Sequence, residues 1–359
     1  SDDMADALSL CVSCKACRRE CPTGVDMARM KIEVLAARAE KVGLSLRDRL
    51  VAYLPRYAPF AARVPWLPNL RDQIPGLAWL TERTLGLARK RRLPRWGRPF
   101  LPGEAAVGPP KAREVVLLAD TFNRYFEREN LDAALAVLVR AGYRVHLPRA
   151  AAGSRPLCCG RTFLSAGLVD EARSELQRTL QALEPFARRG VPIVGLEPSC
   201  LLTLRDEAGA LLPGDAAAAV ASQALLFEEF LAREADAGRL NLPLSRVADR
   251  ALLHGHCHQK AFGVMGAVEK VLALVPGLKI ETVETSCCGM AGSFGYQAET
   301  EAVSRAMGEL SLLPAVRAAA DGTLVVADGT SCRHQIADGT ARHAEHVARV
   351  LARSIGAGG

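Results

Sequence analysis

LCCGRTF at residues 157–163 and SCCGMAGSFGY at 286–296 are two versions of one phrase, and each is answered further along, by GLEPSC at 195–200 and by ADGTSC at 327–332. A paired Cys-Cys-Gly followed by Ser-Cys after an apolar run is a ligand pattern for a metal or iron–sulfur group. Buried cysteine acting as a small hydrophobe accounts for one such pair, not for two copies in register. The upstream halves align as well: VLLADTFNRYF at 116–126 lies over LLHGHCHQKAF at 252–262, so Thr121 falls on Cys257. The second copy therefore holds Cys257, Cys287, Cys288 and Cys332, and the first holds Cys158, Cys159 and Cys200. Four thiolates make a complete site for an iron–sulfur cluster, iron or zinc. Three need a further ligand, for which Asp120 and Glu197 stand nearest. Oxygen suits iron–sulfur clusters less than sulfur, so the first site is expected to hold zinc, a lone iron or nothing.

Around these motifs strands and helices alternate. Val115–Leu118 is a short apolar run suited to a buried parallel strand. Residues 130–141 read as a helix stopped at Gly142, and Tyr143–Leu147 as a second strand. A helix with Leu176, Leu180 and Leu183 on one face follows, then a strand over Pro192–Leu196. The second copy repeats the order: Leu252-Leu253, a helix near 263–275, a strand over Lys279–Val283, a helix presenting Val303, Met307 and Leu310, and a strand over Leu324–Val326. The expected class is α/β with parallel sheets. The cysteines fall where strands end and helices begin, the usual binding crevice of such sheets. Helix amino termini there favour thiolates, and Gly160 and Gly289 permit close backbone approach.

The amino-terminal segment is different. Cys11-x-x-Cys14-x-x-Cys17-x-x-x-Cys21-Pro22 is the bacterial ferredoxin run, three closely spaced thiolates wrapping a 4Fe-4S cubane and a proline turning the chain away. In two-cluster modules the fourth cysteine serves the other cluster. With one run in view, beginning ten residues into the sequence, Cys21 is expected to serve a cluster whose other ligands lie upstream, and the chain to be a segment of a longer redox polypeptide. Four stretches follow from the reading: 1–45, the second half of a ferredoxin-like module; 46–110, a helical connector; 111–245, the first repeat; 246–359, the second repeat.

Eleven cysteines in 359 residues, without a secretory leader, point to reduced, metal-bound thiols in the cytoplasm rather than disulfides. No apolar run reaches the length of a membrane span. The net charge of +7 is uneven: residues 47–100 carry +9 and the remainder −2. That stretch holds all three tryptophans, Trp66, Trp79 and Trp96. Two readings stand open: a Pro-broken helical cover for a neighbouring domain, or a docking face for anionic lipid on the inner face of the membrane or for an acidic partner. Nucleic acid is not expected, because no base-reading motif accompanies the charge. His254, His256 and His258 alternate around Cys257. On a continued strand they share a face; if the chain turns at Cys257, His256 or His258 approaches the site as a ligand or proton donor. Arg161 meets an anion or pairs with an acid.

LCCGRTF, EPSC, SCCGMAGSFGY and GTSC resemble the cysteine-rich CCG domain pair found in heterodisulfide reductase, in the glycolate oxidase iron–sulfur subunit and in anaerobic glycerol-3-phosphate dehydrogenase. ADTFNRYF, LCCGRTFLSAG and GLEPSCLLTLRDE are most similar to the fused FAD and iron–sulfur D-2-hydroxyacid dehydrogenases of the D-lactate and D-2-hydroxyglutarate type, over essentially residues 8–350. The resemblance implies the carboxyl-terminal electron-transfer part of such an enzyme. FAD is then expected only on a missing amino-terminal part, whose flavin domain is the partner, with a quinone, an electron-transfer flavoprotein or a cytochrome as acceptor. No hydroxyacid dehydrogenase activity is expected of this chain alone, since no dinucleotide fingerprint follows a strand. The sequence departs from the family pattern at Thr121, Glu197 and Gly329, where the full set has cysteine, so the non-cubane clusters of heterodisulfide reductase are not carried over. Two other functions are open: a zinc-bearing CCG module that docks the flavin half onto its redox partner, or direct substrate or disulfide chemistry with His256 or His258 as proton donor.

Overall fold

The computed structural model describes residues 2–101, 103–151 and 154–356. The described strands are β1 (Ala106–Val107), β2 (Glu114–Leu118), β3 (Arg144–His146), β4 (Ile193–Gly195), β5 (Ala224–Leu226), β6 (Arg250–His254), β7 (Lys279–Thr282), β8 (Leu324–Ala327) and β9 (Ala344–Glu345). They form two sheets, β1-β3-β2-β4-β5 and β7-β6-β8-β9. All pairings are parallel except β1 with β3. Leaving β1 aside, the orders superimpose: β3-β2-β4-β5 on β7-β6-β8-β9. The fold is α/β, and the internal repeat is a repeat of topology. Strand β1, inside the stretch bounded from sequence as connector, is the edge of the first sheet.

Each sheet changes direction of growth once, between β2 and β4 in the first and between β6 and β8 in the second. Chains leaving adjacent strands on either side of such a switch diverge to opposite faces and leave a crevice at the carboxyl ends. Thr121 and Cys200 occupy that crevice in the first repeat, at the starts of the helices Thr121–Tyr125 and Pro198–Arg205; Cys257 and Cys332 occupy it in the second, in the helices Cys257–Ala261 and Thr330–Gly339.

The repeats pack helix against helix. Helix Arg128–Arg140 of the first packs on Val347–Gly356 of the second, and Phe227–Asp236 of the first on Met265–Ala273 of the second. A single core runs through this seam, joining Val115, Leu117, Leu131 and Leu138 to Leu253, Val271, Val347 and Leu351, all at most 1% exposed. One sequence expectation is corrected here. In helix Glu301–Glu309 the buried residues are Ser304 and Gly308, while Leu310 lies beyond the helix and is 78% exposed. The reason is polar: Arg91 reaches in from the connector and donates to Ser304 Oγ at 2.9 Å and Gln335 Oε1 at 2.7 Å, so an apolar stripe there would strand its guanidinium.

Equivalent helices also start alike. Asp120 caps Thr121–Tyr125, accepting from the backbone N–H groups of Phe122 and Asn123, and His256 Nδ1 caps Cys257–Ala261, accepting from His258 N. Asp120 is fully enclosed, and burial, reinforced by the neighbouring Glu197, pushes its carboxyl up to about 6. An acid raised in this way binds its proton more tightly folded than unfolded. Its cost is therefore absent below the unfolded value of 3.8 and complete above about 6. Asp120→Asn keeps the cap; the amide pair Asn123–Asn130, whose last oxygen is unpartnered, can rotate to match it. The loss of stability between about pH 4 and pH 6, roughly 3 kcal/mol at most, is expected to vanish in this variant when denaturation midpoints are followed against pH. Leu351→Ala, at the helix-packing seam, is expected to cost about 2–5 kcal/mol in chemical denaturation.

Candidate metal and electron-transfer centre

The ferredoxin run forms a loop over residues 11–15 followed by the short helix Ala16–Glu20. Ser13 and Lys15 both adopt left-handed backbone, at φ 52° and 63°, unusual for residues with a Cβ. Alternating left-handed residues turn successive N–H groups to one side, the arrangement that cradles an anionic centre. Cys14 feels Cys11 and Cys17; its thiol is pushed up, chiefly by burial. Cys17 Sγ accepts from Met27 N at 3.4 Å. Cys21 is held by Thr23 Oγ1 at 3.1 Å, which with nearby backbone N–H groups draws its thiol down. The run is pinned to the first repeat by Lys15, 2% exposed, which bonds Asp206 at 2.5 Å, Glu207 at 2.9 Å and Asp26 at 3.4 Å. Arg18 and Arg29 complete the shell around Asp206. A buried lysine needs this pairing, because an uncompensated charge there would cost several kcal/mol.

In the second repeat Cys257, Cys287, Cys288 and Cys332 come together. Their thiols contact one another in the order 257–287–288–332, and burial together with this crowding pushes Cys257, Cys287 and Cys288 far above the ordinary thiol range. Among the described residues no cysteine is in a disulfide. Four thiols packed so tightly are poor company when ionised unless a cation joins them, and a bound metal reverses that cost. Gly289 has φ +89°, and a Cβ there would meet Ser304 O at 2.3 Å. The donor set thus fits an iron–sulfur cluster, iron or zinc. Lys260 Nζ binds Thr285 O at 2.5 Å, Thr285 Oγ1 at 2.8 Å and Ser286 O at 2.9 Å, tying down the loop that delivers Cys287. His254, at the end of β6, brings its ring within 4.8 Å of the Cys288 and Cys332 sulfurs; burial first, then Lys260, push it down to about 3, so it is neutral.

Cys158, Cys159 and Cys200 also meet in the first repeat, all buried. Thr121 takes the place of the fourth thiol and is itself buried. The two oxygens considered as replacements have other occupations. Asp120 accepts three hydrogen bonds, from Phe122 N, Asn123 N and Asn123 Nδ2. Glu197 accepts from Ser199 Oγ at 2.8 Å and, across the seam, from Thr330 N at 2.9 Å. The latter bond explains two departures from the family pattern together. The helix carrying Cys332 has Gly329 as its cap residue and no side-chain cap of its own; Glu197 of the first repeat supplies one. Gly329 must be glycine, since a Cβ there would meet His256 Cδ2 at 2.3 Å.

The strand ends at His254, so the three histidines do not share a strand face. The chain turns through Gly255 and His256, and His258 lies in the helix begun by Cys257. His258 Nε2 lies 3.1 Å from Ser13 O, the carbonyl between Cys11 and Cys14, and 3.5 Å from Arg161. Arg161 pairs with Glu207 at 2.5 Å and feels both Cys159 and Cys257. The fields of Cys14 and Cys257 also overlap. The amino-terminal run and the second repeat's thiols are thus direct neighbours, a juxtaposition across more than two hundred residues of sequence with no local signal to announce it. Ser13, Lys260 and Thr285 went unread for the same reason.

A second cluster, Glu228, Asp328 and His346, lies buried in the seam within 4.8 Å. It is a poor metal site. His346 Nδ1 accepts from Ala348 N at 3.0 Å and Nε2 faces Leu196 O at 3.1 Å, so both ring nitrogens are spent. Burial first, then the neighbouring Asp328, push the Glu228 carboxyl well up.

A family model for the cysteine-rich domain (CCG) matches residues 251–337. Over 98% of its length the chain is 30% identical to D-2-hydroxyglutarate dehydrogenase of Pseudomonas putida, of which it covers 34%. It is 25% identical to a subunit of anaerobic glycerol-3-phosphate dehydrogenase of Escherichia coli, over 92% of the chain and 81% of that subunit. It is 27% identical to the glycolate oxidase iron-sulfur subunit of Escherichia coli, over 80% of the chain and 68% of that subunit. The chain spans about a third of the length of the D-2-hydroxyglutarate dehydrogenase it matches. Residues 251–337 belong to the cysteine-rich CCG domain family, in a chain homologous to D-2-hydroxyglutarate dehydrogenases, to a subunit of anaerobic glycerol-3-phosphate dehydrogenase and to the glycolate oxidase iron–sulfur subunit.

Proposed function

We propose that this chain is the iron–sulfur electron-transfer portion of an FAD-dependent dehydrogenase of D-2-hydroxyglutarate or D-lactate, relaying electrons from a flavin held elsewhere to a quinone, an electron-transfer flavoprotein or a cytochrome. The observation that carries the reading is the contact between the two sulfur sites: His258, next to Cys257, meets the Ser13 carbonyl between Cys11 and Cys14. Iron–sulfur clusters at these positions would supply one-electron carriers. Cys11, Cys14 and Cys17 would hold a 4Fe-4S cluster, Cys21 serving a second one, and Cys257, Cys287, Cys288 and Cys332 would hold the group in the second repeat. Cys158, Cys159 and Cys200 would hold zinc, a lone iron or nothing. The protein's own part is mechanical and electrostatic. Lys15 and its acids fix the run, Lys260 fixes the loop before Cys287, and Glu197 and His256 cap the helices that present Cys332 and Cys257. Neither His256 nor His258 is needed as a proton donor in this reading, because each has a hydrogen-bonding task in the fold.

Anaerobic iron, sulfide and zinc analysis of the chain beside a Cys257→Ser, Cys332→Ser variant tests this. Iron and sulfide that fall in the variant are expected, with no D-2-hydroxyglutarate or D-lactate oxidation by the chain alone. Zinc without sulfide, lost in the variant, would replace the electron path with the zinc-bearing docking module.

One further observation bears on location. No described helix is long and apolar enough to cross a membrane. Within residues 60–80, however, Phe60, Val64, Trp66, Leu67, Ile74, Trp79 and Leu80 are exposed. Arg63, Arg83, Arg92, Arg95 and Arg98 are exposed in the same connector. Other basic residues of the stretch are spent internally: Arg47 on Glu299, Arg56 on Glu171 and Glu175, Arg91 on Asp338. Both readings of the basic stretch therefore have residues behind them, a cover on one side and an apolar, basic surface on the other. For that surface we propose peripheral contact with the inner face of an anionic membrane. Cosedimentation with phosphatidylglycerol vesicles, weaker with phosphatidylcholine and lost in Trp66→Ala, Trp79→Ala, is the expected result. Equal recovery with both lipids, or in the variant, would count against it.

A further inference from the structure

His254 is the one titratable side chain at the second sulfur site whose purpose the fold does not explain. It is 1% exposed, and its Nε2 is buried with no hydrogen-bond partner. The other ring nitrogen, Nδ1, lies 3.1 Å from Thr285 Oγ1. That hydroxyl already accepts from Lys260 Nζ at 2.8 Å. An ammonium can only donate, so the hydroxyl's own proton is free to go to Nδ1. That direction, Lys260 to Thr285 to His254 Nδ1, places the ring proton on Nε2, and it is the tautomer the inference takes. A ring nitrogen of His254 lies within 4.8 Å of the Cys288 and Cys332 sulfurs, and Nε2 is the ring nitrogen left without a partner.

We propose that His254 Nε2–H is a hydrogen-bond donor to the sulfur ligands Cys288 and Cys332, a positioning residue that sets the reduction potential of the centre in the second repeat. The inference rests on the iron–sulfur reading above. Neutral thiols are weak acceptors; ligand sulfurs carrying charge are stronger ones, so the bond gains strength when the site is loaded. It gains again when an electron is added, which favours the reduced state and raises the potential. The first repeat supplies an independent control. Leu118 stands at the position of His254, just as Thr121 stands at that of Cys257. The donor is present where the four-thiol set is complete and absent where it is not.

The test uses the full chain prepared anaerobically, as wild type, His254→Phe, His254→Gln and Thr285→Val. Iron and sulfide are measured in each. A redox titration follows the signal that the Cys257→Ser, Cys332→Ser variant lacks, and pulsed paramagnetic resonance reads nitrogen coupling. In His254→Phe, iron and sulfide are expected to stay and the midpoint to move to more negative potential. His254→Gln, whose amide N–H reaches the same place, is expected to recover part of the shift. If the Phe variant does not fold, Thr285→Val leaves the ring but frees its tautomer, and a negative shift is expected there too. An unchanged midpoint with iron retained overturns the proposal. So does strong directly bonded nitrogen coupling in the wild type with iron lost in His254→Phe, which would make His254 a ligand. If the wild type holds zinc and no sulfide, the electron-transfer reading falls by itself. Nitrogen-15 resonance of the ring then decides the inference: a protonated Nε2 supports it, a metal-bound one overturns it.

Discussion

Everything in this molecule hangs on the packing of helices between two copies of one α/β unit. A parallel sheet must be covered on both faces, and here the covering helices of each copy also pack against those of the other. Arg128–Arg140 lies against Val347–Gly356, and Phe227–Asp236 against Met265–Ala273. The resulting core is continuous from Val115 to Leu351. Because the two halves share this core, the crevices at the carboxyl ends of the two sheets are held at a fixed relation. Cross-links between copies follow from that: Glu197 capping the helix of Cys332, and Glu127 paired with Arg333.

The two crevices have diverged under one constraint. Buried thiols raise each other's cost of ionisation, and only a cation makes a set of four comfortable. The second crevice keeps four sulfurs and surrounds them with Lys260, Thr285 and His254. The first has exchanged one sulfur for Thr121 and put an apolar Leu118 behind it, and its nearby carboxylates have become helix caps. Duplication thus yielded one site with a full set of donors and one whose polar groups serve the fold and its neighbour.

The connector shows the same double use. Arg47, Arg56, Arg71 and Arg91 point inward, where each finds acids, carbonyls or hydroxyls. Trp96 packs on Phe126 with ring centroids 4.6 Å apart, whereas Trp66 and Trp79 are 62% and 53% exposed. A stretch of high positive charge is therefore two populations of arginine, one structural and one at the surface. Composition counts them together and cannot separate them.

The α/β class, the duplication and the three groups of cysteines were legible in the chain, because each rests on local periodicity or on spacing that survives without a third dimension. The run Cys11 to Cys21 is a ligand pattern in any context, and Val115–Leu118 is a buried strand by its apolar content alone. The alternation of His254, His256 and His258 left a strand face and a turn both open, since a strand period holds only while the strand lasts, and β6 ends at His254. The stripe Val303, Met307, Leu310 misled because a distant Arg91 needed Ser304. Which oxygens were already spent, which ring nitrogen of His254 was left without a partner, and that Ser13 meets His258 were decided by the tertiary structure. Those are contacts between residues remote in sequence, and their partners are chosen by packing geometry rather than by any preference of the neighbouring residues.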